Sequence, residues 1–319
     1  MSYPLPSIPY LRLQVTLEAE EPASLPPYHG SMLRGAFGHA LRRSVCTLGP
    51  SQPCASCLLR QACAYTRLFE TFVEGEPPPF LRGIDQAVRP LVFEPHGGPG
   101  RLQPGDPLRF DLLLLGQAVE LQAYAILALE RMARAGLGSG RARFQLARIE
   151  APDPDGPTRL LFSQGSPPAR TPARPSHTSL KALPDGPITL RFTTPLRLKV
   201  RDRLTDRLRF RDLAFYMLRR TLELAHLHVP GAAVDWTFQP LLRQADAIQV
   251  SATHVRWYDW ERWSHRQQTA MKLGGLLGTL TLQGDLTPFA PLLRTAEIVH
   301  IGKGATFGLG KMEVCTGTC

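Results

Sequence analysis

The chain has 319 residues, of which 43% are hydrophobic and 20% are charged, a balance that is typical of a folded globular protein and excludes wholesale disorder. No apolar run approaches the roughly 18 residues that a membrane-spanning helix needs, because charged and amide side chains interrupt the most apolar stretch, residues 110–132. The first residues lack the basic start and apolar segment of a secretion signal, so we expect a cytoplasmic protein.

Basic residues outnumber acidic ones, and the excess lies mainly in the second half of the chain. Lys and Arg total 37 against 27 Asp and Glu, which gives a net charge of +10. Residues 151–319 contain 22 basic and 14 acidic residues. This positive charge attracts polyanions, and we favour nucleic acid as the partner. The alternative is that the charge only maintains solubility.

The first half of the chain predicts alternating strands and helices. Apolar and polar residues alternate over residues 11–17, which indicates a strand. Apolar residues recur at helical spacing over residues 31–45 and again over 118–135, which predicts two helices. Further strands are predicted at 108–115 and 143–149.

A proline-rich stretch separates the two halves. Residues 152–187 contain nine prolines in 36 positions, with glycine and serine among them. Because proline disrupts regular structure, we assign residues 151–186 to a linker or a long surface loop. The chain then consists of an N-terminal domain, residues 1–150, and a C-terminal domain, residues 187–319.

The second half repeats the order of elements predicted for the first. The predicted elements are a strand at 188–200 that is broken at Pro195, a helix at 212–227, strands at 247–257 and 276–282, a helix at 287–296 and a last strand at 311–314. Strand-helix-strand-strand-helix-strand is the order of the ferredoxin-like unit. We therefore predict an α+β protein with two tandem ferredoxin-like (βαββαβ) domains. A glycine-rich segment followed by a cation precedes the last strand of each half, at 136–141 and 302–311.

The C-terminal glycine-rich segment is a candidate for contact with nucleic acid. Too few residues follow it to form the long helix of a dinucleotide-binding fold. Glycine lets backbone N–H groups approach phosphates closely, and flanking lysines add positive charge. An ordinary glycine-rich hairpin is the alternative. The candidate contacts are Gly302, Lys303, Gly304, Gly308, Gly310 and Lys311.

Four cysteines form a small insertion after the first helix. They are Cys46, Cys54, Cys57 and Cys63, and the two-residue spacing between Cys54 and Cys57 suits two thiolates on one metal. A structural zinc ion is our first choice, because four ligands leave no open position for catalysis. An iron–sulfur cluster and four reduced, empty thiols remain alternatives.

Two histidines are candidates for acid–base chemistry. His39 lies off the apolar face of the first predicted helix, on the side of Arg42 and Arg43. A histidine among arginines can act as a base for a ribose 2′-OH or as an acid for a 5′ oxygen, while the cations stabilise the phosphorane. A plain surface histidine is the alternative. His300, beside the glycine-rich segment, is the second candidate.

Aromatic residues alternate with cations near residue 260, where Trp257, Tyr258 and Trp263 accompany Arg256 and Arg266. Aromatic rings beside arginines can stack on unpaired bases while the cations hold phosphates. The alternative is that the tryptophans fill the core and the arginines surround it.

Several of these segments resemble one protein family. The segment LRGAFGHALRR from Leu33, the cysteine segment from Cys54, Ser264-His-Arg266-Gln267, Gly274-Gly-Leu-Leu-Gly278 and HIGKGATFGLGK from His300 look like parts of CRISPR-associated precursor-RNA processing endoribonucleases of the RAMP superfamily. The match spans nearly the whole chain, and the cysteines belong to one branch of the family.

The resemblance implies two ferredoxin-like domains, a repeat-RNA stem-loop as substrate, and metal-independent cleavage that gives a 2′,3′-cyclic phosphate and a 5′-OH. Members often place a catalytic histidine on the first helix, and His39 matches that place. We also predict RNA contacts by Arg34, Arg42, Arg43 and Arg266, and other CRISPR effector subunits are further candidate partners. A non-catalytic RAMP subunit that binds guide RNA is the second hypothesis, and a metal-binding structural or regulatory protein is the third.

Overall fold

The computed structural model describes residues 3–49, 51–73, 87–98, 100–167, 169–178, 182–183, 186–201, 203–259, 261–264, 269–272 and 274–316. The chain forms two compact units. The N-terminal unit is Ile8–His177 with Leu227–Pro230, and the C-terminal unit is Met1–Ser7, Thr178–His226 and Gly231–Cys319. Within the described residues, every helix is too short or too polar to cross a membrane.

The N-terminal unit has a ferredoxin-like sheet with additional strands. Its elements are β1 (Pro9–Ala19), β2 (Ala23–Ser24), α1 (Gly30–Val45), α2 (Ala64–Phe69), β3 (Leu91–Pro95), β4 (Arg101–Leu102), β5 (Pro107–Leu115), α3 (Gln122–Ala135), β6 (Phe144–Ala151), β7 (Arg159–Ser163) and β8 (Ser176–His177). The strand order is β3-β5-β1-β6-β7, with β8 beside β1. All these pairings are antiparallel, and the first four strands have the ferredoxin-like order.

The period-two pattern of β1 determines which face of this sheet forms the core. Leu11, Leu13, Val15 and Leu17 are buried in one cluster with the apolar residues of α1 and α3. On the alternating positions, Arg12 Nη1 lies 2.8 Å from Glu94 Oε2 and 2.5 Å from Asp111 Oδ2. The helices therefore cover the apolar face, and α1 packs directly against α3.

The C-terminal unit repeats the arrangement. Its elements are β9 (Ile188–Leu196), β10 (Lys199–Val200), β11 (Arg203–Leu204), α4 (Phe210–His228), α5 (Gln239–Ala245), β12 (Gln249–Tyr258), β13 (Glu261–Ser264), β14 (Thr269–Lys272), β15 (Gly275–Gln283), α6 (Ala290–Val299) and β16 (Met312–Thr316). The main sheet has the antiparallel order β12-β15-β9-β16. Leu190, Phe192, Leu280 and Leu282 are buried. The predicted α+β fold with two tandem ferredoxin-like domains is confirmed.

The proline-rich stretch differs from the prediction of a linker over residues 151–186. Its prolines at 152, 154 and 157 precede β7 and do not interrupt it, so β7 pairs with β6. β8 pairs with β1. The N-terminal unit therefore extends to His177, beyond the predicted boundary at residue 150.

The prediction that Pro195 breaks the first strand of the second half also differs from the structure. Pro195 lies inside β9, next to a register shift between β9 and β15 at Leu276. A proline lacks the N–H that a regular ladder needs, and an irregular position tolerates this loss. Its carbonyl still accepts a hydrogen bond, from the Gly310 N–H at 3.1 Å.

Candidate active site

The helix α1 presents its histidine to solvent. Leu33, Phe37 and Leu41 are fully buried against the sheet, and His39 is exposed. This placement follows from the helical spacing in the sequence. Residues four apart share a face, so Leu33, Phe37 and Leu41 form the apolar face, and His39 lies off it. His39 is thus free of the core and accessible to a ligand.

A groove of about 600 Å³ runs beside His39 in the N-terminal unit. Side chains of α1 form one wall, and the end of α3 with the turn that follows it forms the other. The small side chains of the alanines at 36, 40 and 135 leave space in the groove. The lining residues are Met32, Ala36, His39, Ala40, Arg43, Arg131, Met132, Ala135, Gly136, Leu137, Gly138 and Arg141.

The turn after α3 places Arg141 at the groove. Gly136 ends the helix with φ of 90°, and a Cβ there would lie 2.1 Å from the Arg141 carbonyl oxygen, so a side chain at this position would disrupt the turn. The Leu137 N–H donates to the Ala142 carbonyl at 2.8 Å and closes a tight loop. Arg141 itself has a positive φ of 50°. The loop therefore holds Arg141 in a fixed backbone conformation.

The charge in the groove is positive. Arg43, Arg131 and Arg141 are all exposed, and the residues that line the groove include no Asp or Glu. These three guanidinium groups make no ion pair with any carboxylate of the described residues. An exposed histidine beside three unpaired cations can exchange protons with a phosphodiester whose added negative charge the arginines stabilise.

Arg34 and Arg42, two predicted RNA contacts, lie elsewhere on α1. The guanidinium carbon of Arg34 lies 3.9 Å from the centre of the Phe69 ring. Arg42 Nη2 donates to the Gln52 carbonyl at 2.9 Å. Both side chains thus contact α2 and the cysteine segment as well as α1, and the RNA contacts of Arg34 and Arg42 stay predictions.

The cysteine segment forms a loop and a short 3₁₀ turn between α1 and α2. Cys46 Sγ donates to the Gly49 carbonyl at 3.3 Å, and Cys54 and Cys63 pack against the core of the unit. Burial raises the pKa of the Cys54 thiol. Among the described residues, no three His, Cys, Asp or Glu side chains form a group that could hold a metal ion. Cys46 and Cys63 nevertheless lie near enough to Cys54 to raise the pKa of its thiol further, and a zinc ion on Cys46, Cys54, Cys57 and Cys63 stays a prediction.

His300 does not lie where acid–base chemistry requires. It is fully buried at the end of α6, and its Nδ1 donates to the Leu309 carbonyl at 3.2 Å. A buried ring that is bonded to the backbone cannot reach a phosphodiester in solvent. His300 instead ties the glycine-rich segment to the end of α6, and His39 remains the candidate for catalysis.

The glycine-rich segment carries a cluster of cations in the C-terminal unit. Lys303 is exposed, and its backbone N–H donates to the Arg197 carbonyl at 2.9 Å. Partial burial, followed by the neighbouring positive charges of Lys199, Arg197 and Arg219, lowers the pKa of Lys303. Such mutual repulsion is relieved by a bound anion. The cluster therefore suits a phosphate.

The other predicted contacts of the segment have different environments. Lys311 is half-buried before β16, and its backbone N–H donates to Thr194 Oγ1 at 2.8 Å. Gly304 and Gly308 flank a 3₁₀ turn, and Gly302 and Gly310 also have positive φ. Arg266 lies outside the described residues. Of the two lysines of the segment, Lys303 is therefore the more exposed.

Two family models match the chain. AF_1859_N, described as an N-terminal domain, matches residues 8–174, and the model of the CRISPR-associated endoribonuclease Cas6 matches residues 190–312. The gap between the two matches includes the division of the structure after His177. A comparison with curated protein sequences finds no significant match.

Solved structures share the fold. A Cas6 product complex is 18% identical, with a TM-score of 0.58, and the match covers 96% of this chain and 99% of that chain. Thermus thermophilus Cas6 is 16% identical, with a TM-score of 0.54 and coverage of 97% and 99%. A partial Cas6-RT-Cas1–Cas2 complex is 16% identical, with a TM-score of 0.55 and coverage of 98% and 47%. At these identities the likeness establishes the tandem fold alone.

Proposed function

The chain belongs to the CRISPR-associated Cas6 endoribonuclease family, and we propose that it cuts CRISPR repeat RNA in a precursor transcript to release guide RNAs. The observation that carries this proposal is the groove in which exposed His39 lies with Arg43, Arg131 and Arg141 and without a carboxylate. A histidine can transfer a proton during phosphodiester cleavage, and several cations can stabilise the negative charge that develops on the phosphorus.

The proposed reaction uses the 2′-OH of the RNA as the nucleophile. A base removes the 2′-OH proton, O2′ bonds to the adjacent phosphorus, and the bond from phosphorus to O5′ breaks while an acid protonates O5′. The products are a 2′,3′-cyclic phosphate and a 5′-OH. His39 serves as the base or the acid, and the three arginines stabilise the extra negative charge of the phosphorane.

Independence from divalent metal is part of the proposal. In nucleases that depend on Mg²⁺, carboxylates hold the ion and the ion stabilises the attacking and leaving oxygens. In this groove, arginine side chains supply positive charge instead of a metal ion, and the lining residues include no Asp or Glu that could bind one. The arginines therefore supply the charge stabilisation, and His39 supplies one of the two proton transfers of the proposed step.

We assign the binding of RNA phosphates to the cluster around Lys303. The repulsion among Lys303, Lys199, Arg197 and Arg219 supports this assignment, since a polyanion relieves it. The glycine-rich backbone beside Lys303 permits a close approach of the RNA strand. Association with other Cas proteins is a further part of the proposal, and the likeness to the Cas6-RT-Cas1–Cas2 complex supports it.

Incubation of the purified protein with its repeat RNA in excess chelator tests the proposed function. We expect one cut at a fixed position, at an unchanged rate when Mg²⁺ replaces the chelator, because the groove supplies its own positive charge. Denaturing gels measure the products. Tight binding without cleavage in either condition would contradict the nuclease and favour the non-catalytic subunit that binds guide RNA.

A further inference from the structure

One face of the C-terminal sheet carries an exposed tyrosine. Tyr258 is 43% exposed at the end of β12, a strand that pairs with β15 alone among the described strands. In the register of these two strands, Tyr258 lies opposite Gly275, and its neighbour Trp257 lies opposite the buried Leu276. Because side chains alternate along a strand, Tyr258 lies on the face opposite to the core. Its ring is accessible there.

Two arginines flank Tyr258 on the same face. Arg256 lies two residues earlier on β12, roughly 7 Å along the strand, and it is exposed. Arg197 approaches from the other side, because a Cβ at Gly275 would lie 2.9 Å from the Arg197 Cγ. Opposite Cβ positions of an antiparallel pair are about 5 Å apart, so the Arg197 Cγ lies within about 8 Å of the Tyr258 Cβ.

Arg197 connects this face to the cation cluster around Lys303. The Arg197 carbonyl accepts the Lys303 N–H at 2.9 Å. Partial burial and then the neighbouring positive charges, that of Arg197 among them, lower the pKa of Lys303. Within the part of the chain that the structure describes, neither Arg197 nor Arg256 forms an ion pair with a carboxylate. The surface beside Tyr258 is therefore continuous with the site to which we assign RNA phosphates.

Two nearby carboxylates are engaged elsewhere. Glu313 borders the same face and is paired with Arg191. Asp259 follows Tyr258 in the chain, but its Oδ1 accepts the Nε1–H of Trp257 at 2.8 Å, on the other face. The charge that an occupant meets beside the Tyr258 ring is therefore positive.

This surface suits a ligand that has both a flat apolar face and negative charge. A protein partner would favour a continuous apolar patch, whereas this face places arginines on both sides of the ring. An unpaired nucleotide matches both features, because its base stacks on an aromatic ring while the phosphates of its strand meet the cations.

We propose that Tyr258 stacks on an unpaired base of the RNA strand whose phosphates bind the cluster around Lys303. The proposal rests on the proposed RNA-processing function and deepens it, because it adds a base contact to a site with phosphate contacts. Arg197 joins the two contacts, since its stem lies beside the ring and its charge belongs to the cluster. Tyr258 does not line the groove of His39, so it contributes to affinity and not to the chemical step.

Two probes of equal length test the proposal, an oligoadenylate of about ten nucleotides and an abasic ribose-phosphate oligomer. We expect Y258A to weaken binding of the oligoadenylate roughly 5- to 150-fold, the usual range for the loss of one base–aromatic stack, and to leave binding of the abasic oligomer unchanged. R197A should weaken binding of both probes and reduce the slope of log affinity against log salt by about 0.7. Y258F keeps the ring and should bind like the unchanged protein.

W257A is the matched control. Trp257 is 40% exposed on the same strand but lies on the opposite face, so its loss should leave the affinity for the oligoadenylate unchanged. Equal affinity of Y258A and the unchanged protein would overturn the stacking, as would equal losses in Y258A and W257A or a failure of the unchanged protein to bind the oligoadenylate. A loss in Y258A that is confined to the oligoadenylate would uphold the stacking even where the unchanged protein cuts no repeat RNA, so the two proposals fail separately.

Discussion

The variant H39A should cleave repeat RNA roughly a hundredfold to ten-thousandfold more slowly than the unchanged protein. This range is the usual contribution of one positioned acid or base to a proton transfer. Because His39 is exposed and takes no part in the core of α1, the fold and the affinity for RNA should be preserved. Single-turnover rates at saturating protein measure the chemical step alone.

Variants of two other histidines distinguish an effect on the chemical step from an effect on the stability of the fold. H254A removes an exposed histidine on β12, outside the groove, and should leave the single-turnover rate unchanged. H300A removes a fully buried ring and its bond to the Leu309 carbonyl, so its main effect should be a lower melting temperature. A near-normal rate for H39A would remove this histidine from the mechanism.

The variants R131A and R141A should each slow cleavage about a hundredfold, and the double variant more. Each residue supplies a cation to the groove, and the loss of one group that stabilises transition-state charge has an effect of this size. The phosphorane carries more negative charge than the substrate, so the rate constant should fall more than the affinity. Single-turnover rates and binding curves on one RNA distinguish the two quantities.

R134A is the matched control for these variants. Arg134 is exposed on the same helix, α3, but it pairs with Glu130 at 2.8 Å and does not line the groove. Its removal should leave the cleavage rate nearly unchanged, because the side chain does not line the groove and an exposed ion pair of this kind contributes at most about 1 kcal/mol to stability. A loss of rate in R134A equal to that in R131A would indicate a general effect of charge on RNA binding, and the assigned role of Arg131 would be wrong.

The sequence is sufficient to identify the candidate histidine but not the groove. The spacing of Leu33, Phe37 and Leu41 already directs His39 to solvent. Arg131 and Arg141 come from another helix and its following turn, and they meet His39 only because α1 packs on α3. The glycine-rich segment at 136–141 is the one signal that points to this turn.

Helical position explains the role of Arg43 in the site but not the role of Arg42. Arg43 lies four residues after His39 and shares its face, whereas Arg42 is turned toward Tyr65 and Gln52. The contacts of Arg42 depend on α2, a six-residue helix whose pattern is too short to predict from the sequence. Tertiary contacts, and not helix spacing, therefore decide the role of Arg42.

In the C-terminal unit, too, the sequence does not predict which side chains come together in the tertiary fold. Residues 191–220 are rich in arginine and lysine, which indicates an anion site. The cations beside Lys303, however, come from the turn after β9, from β10 and from α4. Their convergence depends on the tertiary fold. The local sequence around His300 also does not predict its burial. The residue follows the end of α6 with a positive φ of 58°, a conformation that an exposed loop residue could also adopt.

The central claim is that the groove around His39 promotes attack by the RNA's own 2′-OH. The most direct test is a repeat RNA in which a single 2′-deoxyribose replaces the ribose on the 5′ side of the cut. We expect the protein to bind this RNA with unchanged affinity and to leave it intact, while the unmodified RNA yields a 2′,3′-cyclic phosphate and a 5′-OH. Cleavage of the deoxy-substituted RNA at the same position would contradict the mechanism.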